Sequence, residues 1–277
     1  MIKNKLKSIF YKIHKTKRLL PAPKFKLDTN LQELPFTIVM MGYNNQDYIK
    51  KSIESALSQN YSNFNVIYSE ACSTDNSFAI LKTIEHPKLT KRINKTRKYR
   101  LQNLYEAIHM TDDNQIILEL DGDDYLKDEF VLTRLNQMFQ KNNYLMIHGN
   151  YTNTPIEFAK KHGYGNFSQQ TPWFVKKFSM FRDFPWIYSG IRSYYSWLFK
   201  KIKQEDLMLN GQFLPVCCDV ATIYPMAEMA PNRIGYIQEA LLIRNIDSPI
   251  NEFKIITVEQ KKIKDHILNS KRYEKLL

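Results

Sequence analysis

Glycine is scarce in this chain, with eight in 277 residues, and neither of the common glycine-built phosphate loops occurs in it. Without GxGxxG or GxxxxGK, a dinucleotide-binding dehydrogenase and a P-loop nucleotidase both lose their signature. Cysteine is sparser still. Cys72, Cys217 and Cys218 form no CxxC pair, and adjacent cysteines do not readily share a metal tetrahedron, so neither a disulfide framework nor a zinc site is expected. That usage fits a reducing, cytoplasmic setting. Long apolar runs are missing too. Nothing approaches the roughly 18 residues that cross a bilayer, and the N-terminus lacks the long apolar core of a secretion signal. The expectation is a soluble or membrane-peripheral protein.

What is present is a folding composition, 43% hydrophobic and 13% aromatic, well above that of a disordered chain. The length permits one large α/β domain or two smaller ones. The formal net charge is +12, and much of it is terminal: residues 1–26 hold Lys3, Lys5, Lys7, Lys12, Lys15, Lys17, Arg18, Lys24 and Lys26 and no acid. Ile2, Leu6, Ile9, Phe10 and Ile13 recur among them at helical spacing. The segment fits a short basic amphipathic helix on an anionic membrane surface, and it also fits a solvated tail or a helix packed on the domain. No nucleic-acid-binding motif accompanies the charge, so nucleic acid is not expected as a partner.

From Phe36 the pattern becomes regular. Phe36 to Met41 reads as a buried strand ending in a Gly-Tyr-Asn-Asn loop, and Tyr48, Ile49, Ile53, Ala56 and Leu57 then share a helical face. A second strand, FNVIY, leads into the polar loop SEACSTD. Helical patterns over residues 76–85 and through Leu101, Leu104, Tyr105 and Ile108 precede a third strand, QIILEL. Strand and helix in alternation predict an α/β fold with a mostly parallel sheet flanked by helices. A helix through Val131, Leu135, Met138 and Phe139 and a strand at YLMIHG follow. Trp173, Trp186 and Trp197 fall in an aromatic stretch whose rings suit sugar stacking, though such a run is more often core. A lysine-rich helical tail closes the chain from Val258.

In sheets of this kind ligands bind beyond the carboxyl ends of the strands. GYNN, SEACSTD and DGDD are the loops at those ends. The last is the most telling, because Asp121, Asp123 and Asp124 crowd behind an apolar strand in a basic chain. Asp128 is better placed to cap the next helix, which leaves the trio without that role. Two carboxylates about 4 Å apart repel by roughly 1 kcal/mol in water and about 4 kcal/mol at the effective dielectric of a protein cleft. A hard divalent ion, held by one or two carboxylates with its other sites open to phosphate, removes that cost.

The residues GYNNQDYIKKSIESALSQNYSNFNVIYSEACSTDNS, then RKYRLQNLYEAIH and LDGDDYL, resemble the family 2 glycosyltransferases of the GT-A fold. PWIYSGIRSYYSWLFKKIKQEDLMLNGQFLPVCCDVATIYPMAEMA and ALLIRNIDSPINE look like a sub-branch found in bacteria and large viruses and related to collagen-type glycosyltransferases. The resemblance spans residues 35–255. It implies a GT-A domain with a nucleotide-sugar half at 35–125 and an acceptor half at 126–255, between a basic extension at 1–34 and a helical tail at 256–277. The implied activity is transfer of a sugar from a nucleotide-diphosphate donor to a glycan, lipid or protein hydroxyl, with inversion and with Mn²⁺ or Mg²⁺. Carried over by position, Gly42, Tyr43, Asn44, Glu70, Arg97 and Asn103 would hold the nucleotide. Asp121 would sit by the ribose and share with Asp123 the role of metal ligand, Asp124 being a neighbour of open role. Trp186 and Arg192 would lie on the acceptor side. Asp219 would be the general base, although its position after PVCC also suits a helix cap.

The chain departs from that pattern at four places. Glu70-Ala71 stands where Asp-Asp is usual, Gly190 and Phe253 where histidines are expected, and Tyr99 where a glycine is expected. These departures support a second reading, a catalytically silent homologue that keeps the fold to bind a partner or a membrane. A nucleotidyltransferase would need a glycine-rich basic loop that MMGYNNQDY does not supply.

Overall fold

The computed structural model describes residues 27–28, 30–163, 168–248 and 258–276. The basic segment 1–26 and Phe253, both singled out in the sequence, lie outside the described residues.

The first strand, β1 (Phe36–Gly42), is buried along its whole length. Side chains alternate across a strand, so Phe36, Ile38 and Met40 enter one core while Val39 and Met41 enter another on the opposite face of the sheet. Helix α1 (Ile49–Leu57) covers the first face with Ile49, Ile53 and Ala56. Strand β2 (Phe64–Glu70) returns parallel to β1, followed by α2 (Ser77–Thr83) and the edge strand β3 (Leu89–Ile93). Helix α3 (Arg100–Ile108) buries Leu101, Leu104 and Ala107 in the second core and leads into β4 (Ile116–Asp121), parallel to β1 on its other side. The alternation predicted from sequence is what forms. Register fixes the consequence: Gly42 lies opposite Glu70, and Met41 opposite Asp121. The three polar loops therefore leave the sheet at one edge.

The rest of the chain completes the sheet. A short β5 (Tyr125–Leu126) precedes α4 (Val131–Asn142), whose cap residue is Phe130. Asp128 does not cap α4, contrary to the sequence expectation. It lies two residues before the cap position, accepts the Phe130 N–H at 2.9 Å and pairs with Arg134 at 2.6 Å. Strand β6 (Met146–Thr154) is followed by α5 (Ile156–Lys161) and α6 (Trp173–Lys177), then by β7 (Arg192–Tyr195) and α7 (Ser196–Lys200). A small hairpin, β8 (Met208–Leu209) with β9 (Gln212–Phe213), precedes α8 (Cys218–Met229), which is apolar nearly all round and runs through the second core. Strand β10 (Ile234–Asn245) and helix α9 (Val258–Asn269) follow.

The eight-stranded sheet runs β3-β2-β1-β4-β7-β6-β10-β5. The four N-terminal strands are parallel, β7 is antiparallel to both neighbours, and β10 is parallel to β6. Of the aromatic stretch, Trp186 and Trp197 pack against the second core. Trp173 does not, standing 70% exposed on a helix of five residues.

Candidate active site

The first two loops are stitched to each other before any ligand is considered. Asn44, in the left-handed conformation at φ 47° that Asn tolerates better than most residues, donates its N–H to Ser73 Oγ and accepts the Thr74 N–H at Oδ1 at 2.8 Å. Asp75 accepts the N–H groups of Gln46 and Ser77. Asn45 donates to the Gly122 carbonyl and to Tyr68 Oη, tying the first loop to the acidic one. Gly42 is required by contact, because a Cβ there would sit 1.8 Å from Tyr68 Oη.

These loops wall a cavity of about 510 Å³. Gly42, Tyr43, Arg97, Asn103, Asp121, Asp123, Arg192 and Asp219 all line it, so the structure brings together eight of the residues singled out from sequence. At one end the Arg97 guanidinium lies 3.5 Å over the Tyr43 ring. Asn103, fully buried, accepts from Asn94 and donates to the Lys98 carbonyl. Three positions sit elsewhere. Asn44 holds the loop seam, and Glu70, 2% exposed, spends both carboxylate oxygens on the N–H groups of Cys72 and Ser73 at 2.8 Å. Trp186 packs edge-on against Tyr188 and Tyr224, its indole N–H on Ser189 Oγ.

The acidic loop divides by environment. Asp124 is 5% exposed and accepts the Asn245 N–H at 2.8 Å, a structural tie that burial and the neighbouring Asp123 and Asp121 hold well above the usual carboxylate range. Burial, then Asp121, push Asp123 up to about 7. Burial acts on Asp121 too, but Arg100 and Arg192 outweigh it and keep that carboxyl low. Its Oδ1 accepts Arg100 Nε at 2.7 Å.

Arg100 was not visible from the sequence pattern, and it is central. Its Nη2 donates to Glu119 Oε2 at 2.7 Å and its Nη1 to Cys218 Sγ at 2.8 Å. Glu119, inside the predicted strand QIILEL, has a side chain with no exposed surface that also accepts Tyr194 Oη at 2.7 Å, with Arg192 Nε 3.3 Å away. Burial raises its carboxyl, but Arg192, Arg100 and Tyr194 outweigh that and hold it below the usual range. The signal was available: a glutamate inside IILEL has to meet a cation, since a buried unpaired carboxylate is prohibitively costly. Arg244, at the end of β10, also lines the cavity and was missed.

Asp219 lies in the first turn of α8, with Cys217 at the cap position and no side-chain cap bond. It is therefore not the N-cap. One oxygen accepts the Val220 N–H at 2.8 Å, and the other is 4.0 Å from Arg192 Nη1. Gly190, where the resemblance expects histidine, has φ 86°, and a Cβ would meet the Gly149 carbonyl at 2.3 Å. No side chain fits that backbone. Tyr99 lines the cavity in place of the expected glycine.

Among the described residues no three His, Cys, Asp or Glu side chains are gathered as a metal site. The donor chemistry still fits a divalent ion completed by phosphate, because Asp123 is a carboxylate whose burial and neighbour both disfavour its charge until a cation arrives. Among the described residues, no helix is long and apolar enough to cross a membrane.

A parallel-sheet α/β domain with acidic and arginine side chains gathered at its strand ends is the architecture of GT-A glycosyltransferases. The chain belongs to glycosyl transferase family 2, whose model matches residues 37–206. It is 30% identical over 130 residues to a protein of Haemophilus influenzae described as an uncharacterized glycosyltransferase, covering 44% of this chain and 48% of that relative. The chain thus spans about half of that relative's length. Among solved structures it is similar to S. aureus TarS 1–349 in complex with UDP-GlcNAc, at a TM-score of 0.59 and 15% identity over 85% of this chain and 70% of that one. It is also similar to the mannosyltransferase PcManGT from Pyrobaculum calidifontis in complex with GDP-Man and Mn²⁺, at a TM-score of 0.59 and 14% identity over 91% and 68% of the two chains.

Proposed function

We propose that the chain transfers a sugar from a nucleoside-diphosphate donor to an acceptor hydroxyl, with inversion at the anomeric carbon. The observation that carries this reading is the meeting of Asp121, Asp123 and Asp219 with Arg100 and Arg192 in one cavity. The family membership supports it, as do two solved neighbours of the same fold, one in complex with UDP-GlcNAc and one with GDP-Man.

In this reading Tyr43 and Arg97 receive the base at one end of the cavity, with Asn103 beside them. Asp123 would hold Mn²⁺ or Mg²⁺, with Asp121 next to it. A divalent ion bound there supplies Lewis-acid stabilisation of the leaving diphosphate. Asp219 accepts the acceptor's hydroxyl proton as that oxygen forms its bond to the anomeric carbon and the bond to the diphosphate oxygen breaks on the other side. One displacement inverts the centre. Arg192 Nη1 stands 4.0 Å from the Asp219 carboxylate, on the same cavity wall.

A thermal-shift panel of nucleotide sugars with Mn²⁺ tests the reading, because a ligand that binds only the folded state raises its melting temperature. The expected result is a rise with one nucleotide class that Asp123→Ala removes. No rise with any donor sinks the reading and favours the silent homologue that binds a partner instead, a role consistent with the departures at Ala71 and Gly190.

A further inference from the structure

Resting on that donor reading, we infer that Arg100 is a resident cation of the donor site, competing with the metal ion for Asp121 and binding the donor's diphosphate itself. The geometry is specific. The guanidinium is bracketed between the end of β4 and the start of α8: Nε reaches Asp121 Oδ1 at 2.7 Å, Nη2 reaches Glu119 Oε2 at 2.7 Å and Nη1 reaches Cys218 Sγ at 2.8 Å. It also lines the cavity that Asp123 and Asp219 line.

A purely structural arginine would need only Glu119. That carboxylate is already approached by Arg192 at 3.3 Å and bonded by Tyr194 at 2.7 Å. Arg100 nevertheless holds a second carboxylate, and it is the one at the strand end, with 37% of its side chain exposed. An oxygen engaged at 2.7 Å by a guanidinium is a poor ligand for a divalent ion, since both compete for the same lone pairs. Asp123 is left as the principal protein ligand. The guanidinium has five N–H groups, of which these contacts engage three. The other two suit the fork geometry of phosphate oxygens. Its charge is fixed at every working pH. Positive charge supplied by the protein in this way reduces what a metal has to supply to a leaving diphosphate.

Two expectations follow for the full chain. Calorimetric titration of UDP and GDP in EDTA should detect binding to the wild type, and Arg100→Ala should weaken it by about tenfold or more, the worth of one charge-assisted contact. Mn²⁺ titrated without nucleotide, with free ion followed by electron paramagnetic resonance, should bind Arg100→Ala more tightly than wild type. Asp121→Asn keeps the arginine and releases it, so it should raise nucleotide affinity in EDTA and leave Mn²⁺ affinity unchanged, whereas Asp123→Asn should lower Mn²⁺ affinity. Melting curves establish that each variant is folded. Should Arg100→Ala fail to fold around the buried charge of Glu119, the two aspartate variants decide. Nucleotide binding in EDTA that is the same with and without Arg100, or an Asp121→Asn loss of Mn²⁺ affinity equal to that of Asp123→Asn, overturns the inference alone. A wild type that binds neither nucleotide with or without Mn²⁺ overturns the donor reading with it.

Discussion

Asp219→Asn is expected to lower kcat by about 10²- to 10⁴-fold, the usual contribution of a positioned general base, while nucleoside-diphosphate affinity stays at the wild-type value. The substitution is isosteric and keeps an oxygen for the Val220 N–H that Asp219 now accepts at 2.8 Å. The turn should survive, and only the proton-accepting carboxylate is lost. Steady-state kinetics beside a nucleotide titration separate the two effects. A variant with wild-type kcat would place the base elsewhere, and a variant that loses nucleotide affinity in proportion would make Asp219 a binding residue.

The second large effect concerns stability. Arg182 and Glu228 form a two-pronged pair at 2.7 and 2.8 Å, with side chains 2% and 0% exposed. The pair ties three segments. Glu228 ends α8 and also accepts the Tyr273 N–H at 3.0 Å, while Arg182 donates to the Ile267 carbonyl at the end of α9. Arg182→Met leaves Glu228 buried without its cation, and breaking such a pair costs about 3–5 kcal/mol. Denaturant unfolding should show that loss. Adding Glu228→Leu should recover most of it, because well-packed apolar residues replace buried pairs at little cost. A double variant no better than the single would mean that the hydrogen bonds to Ile267 and Tyr273, rather than the charges, hold the C-terminal segment.

Much of the fold was legible because the N-terminal half keeps its local rules. β1, β2 and β4 are apolar runs of ordinary strand length, and α1, α3 and α4 carry their buried residues at helical spacing. The strands that escaped notice break those rules. β3, LTKRI, sets three polar residues in a row between its two apolar ends at the sheet edge, and β7 has four residues. β10 loses its period at two register shifts, between Ile237 and Ala240 and between Ala240 and Leu242. The same logic divides the site. Asp121, Asp123 and Asp219 stand at element ends where chemistry is looked for, and they meet in the cavity. Glu119 and Arg100 lie inside regular elements, and only the fold reveals that residues 19 apart form an ion pair. Glu70 shows the reverse case: its place in the motif pointed to the nucleotide, while its carboxylate is spent on the loop that follows it.

Nucleotide-sugar turnover is the most direct readout of an inverting transfer. The full chain is incubated with Mn²⁺ and a panel of nucleotide sugars, with water standing in for the acceptor. Nucleoside diphosphate release is measured, and the anomeric configuration of the freshly released sugar is read by nuclear magnetic resonance. Inverting transfer predicts release from one nucleotide class, a sugar of inverted configuration, and loss of both in Asp123→Ala and Asp219→Asn. Retained configuration, or release that neither variant changes, would contradict it.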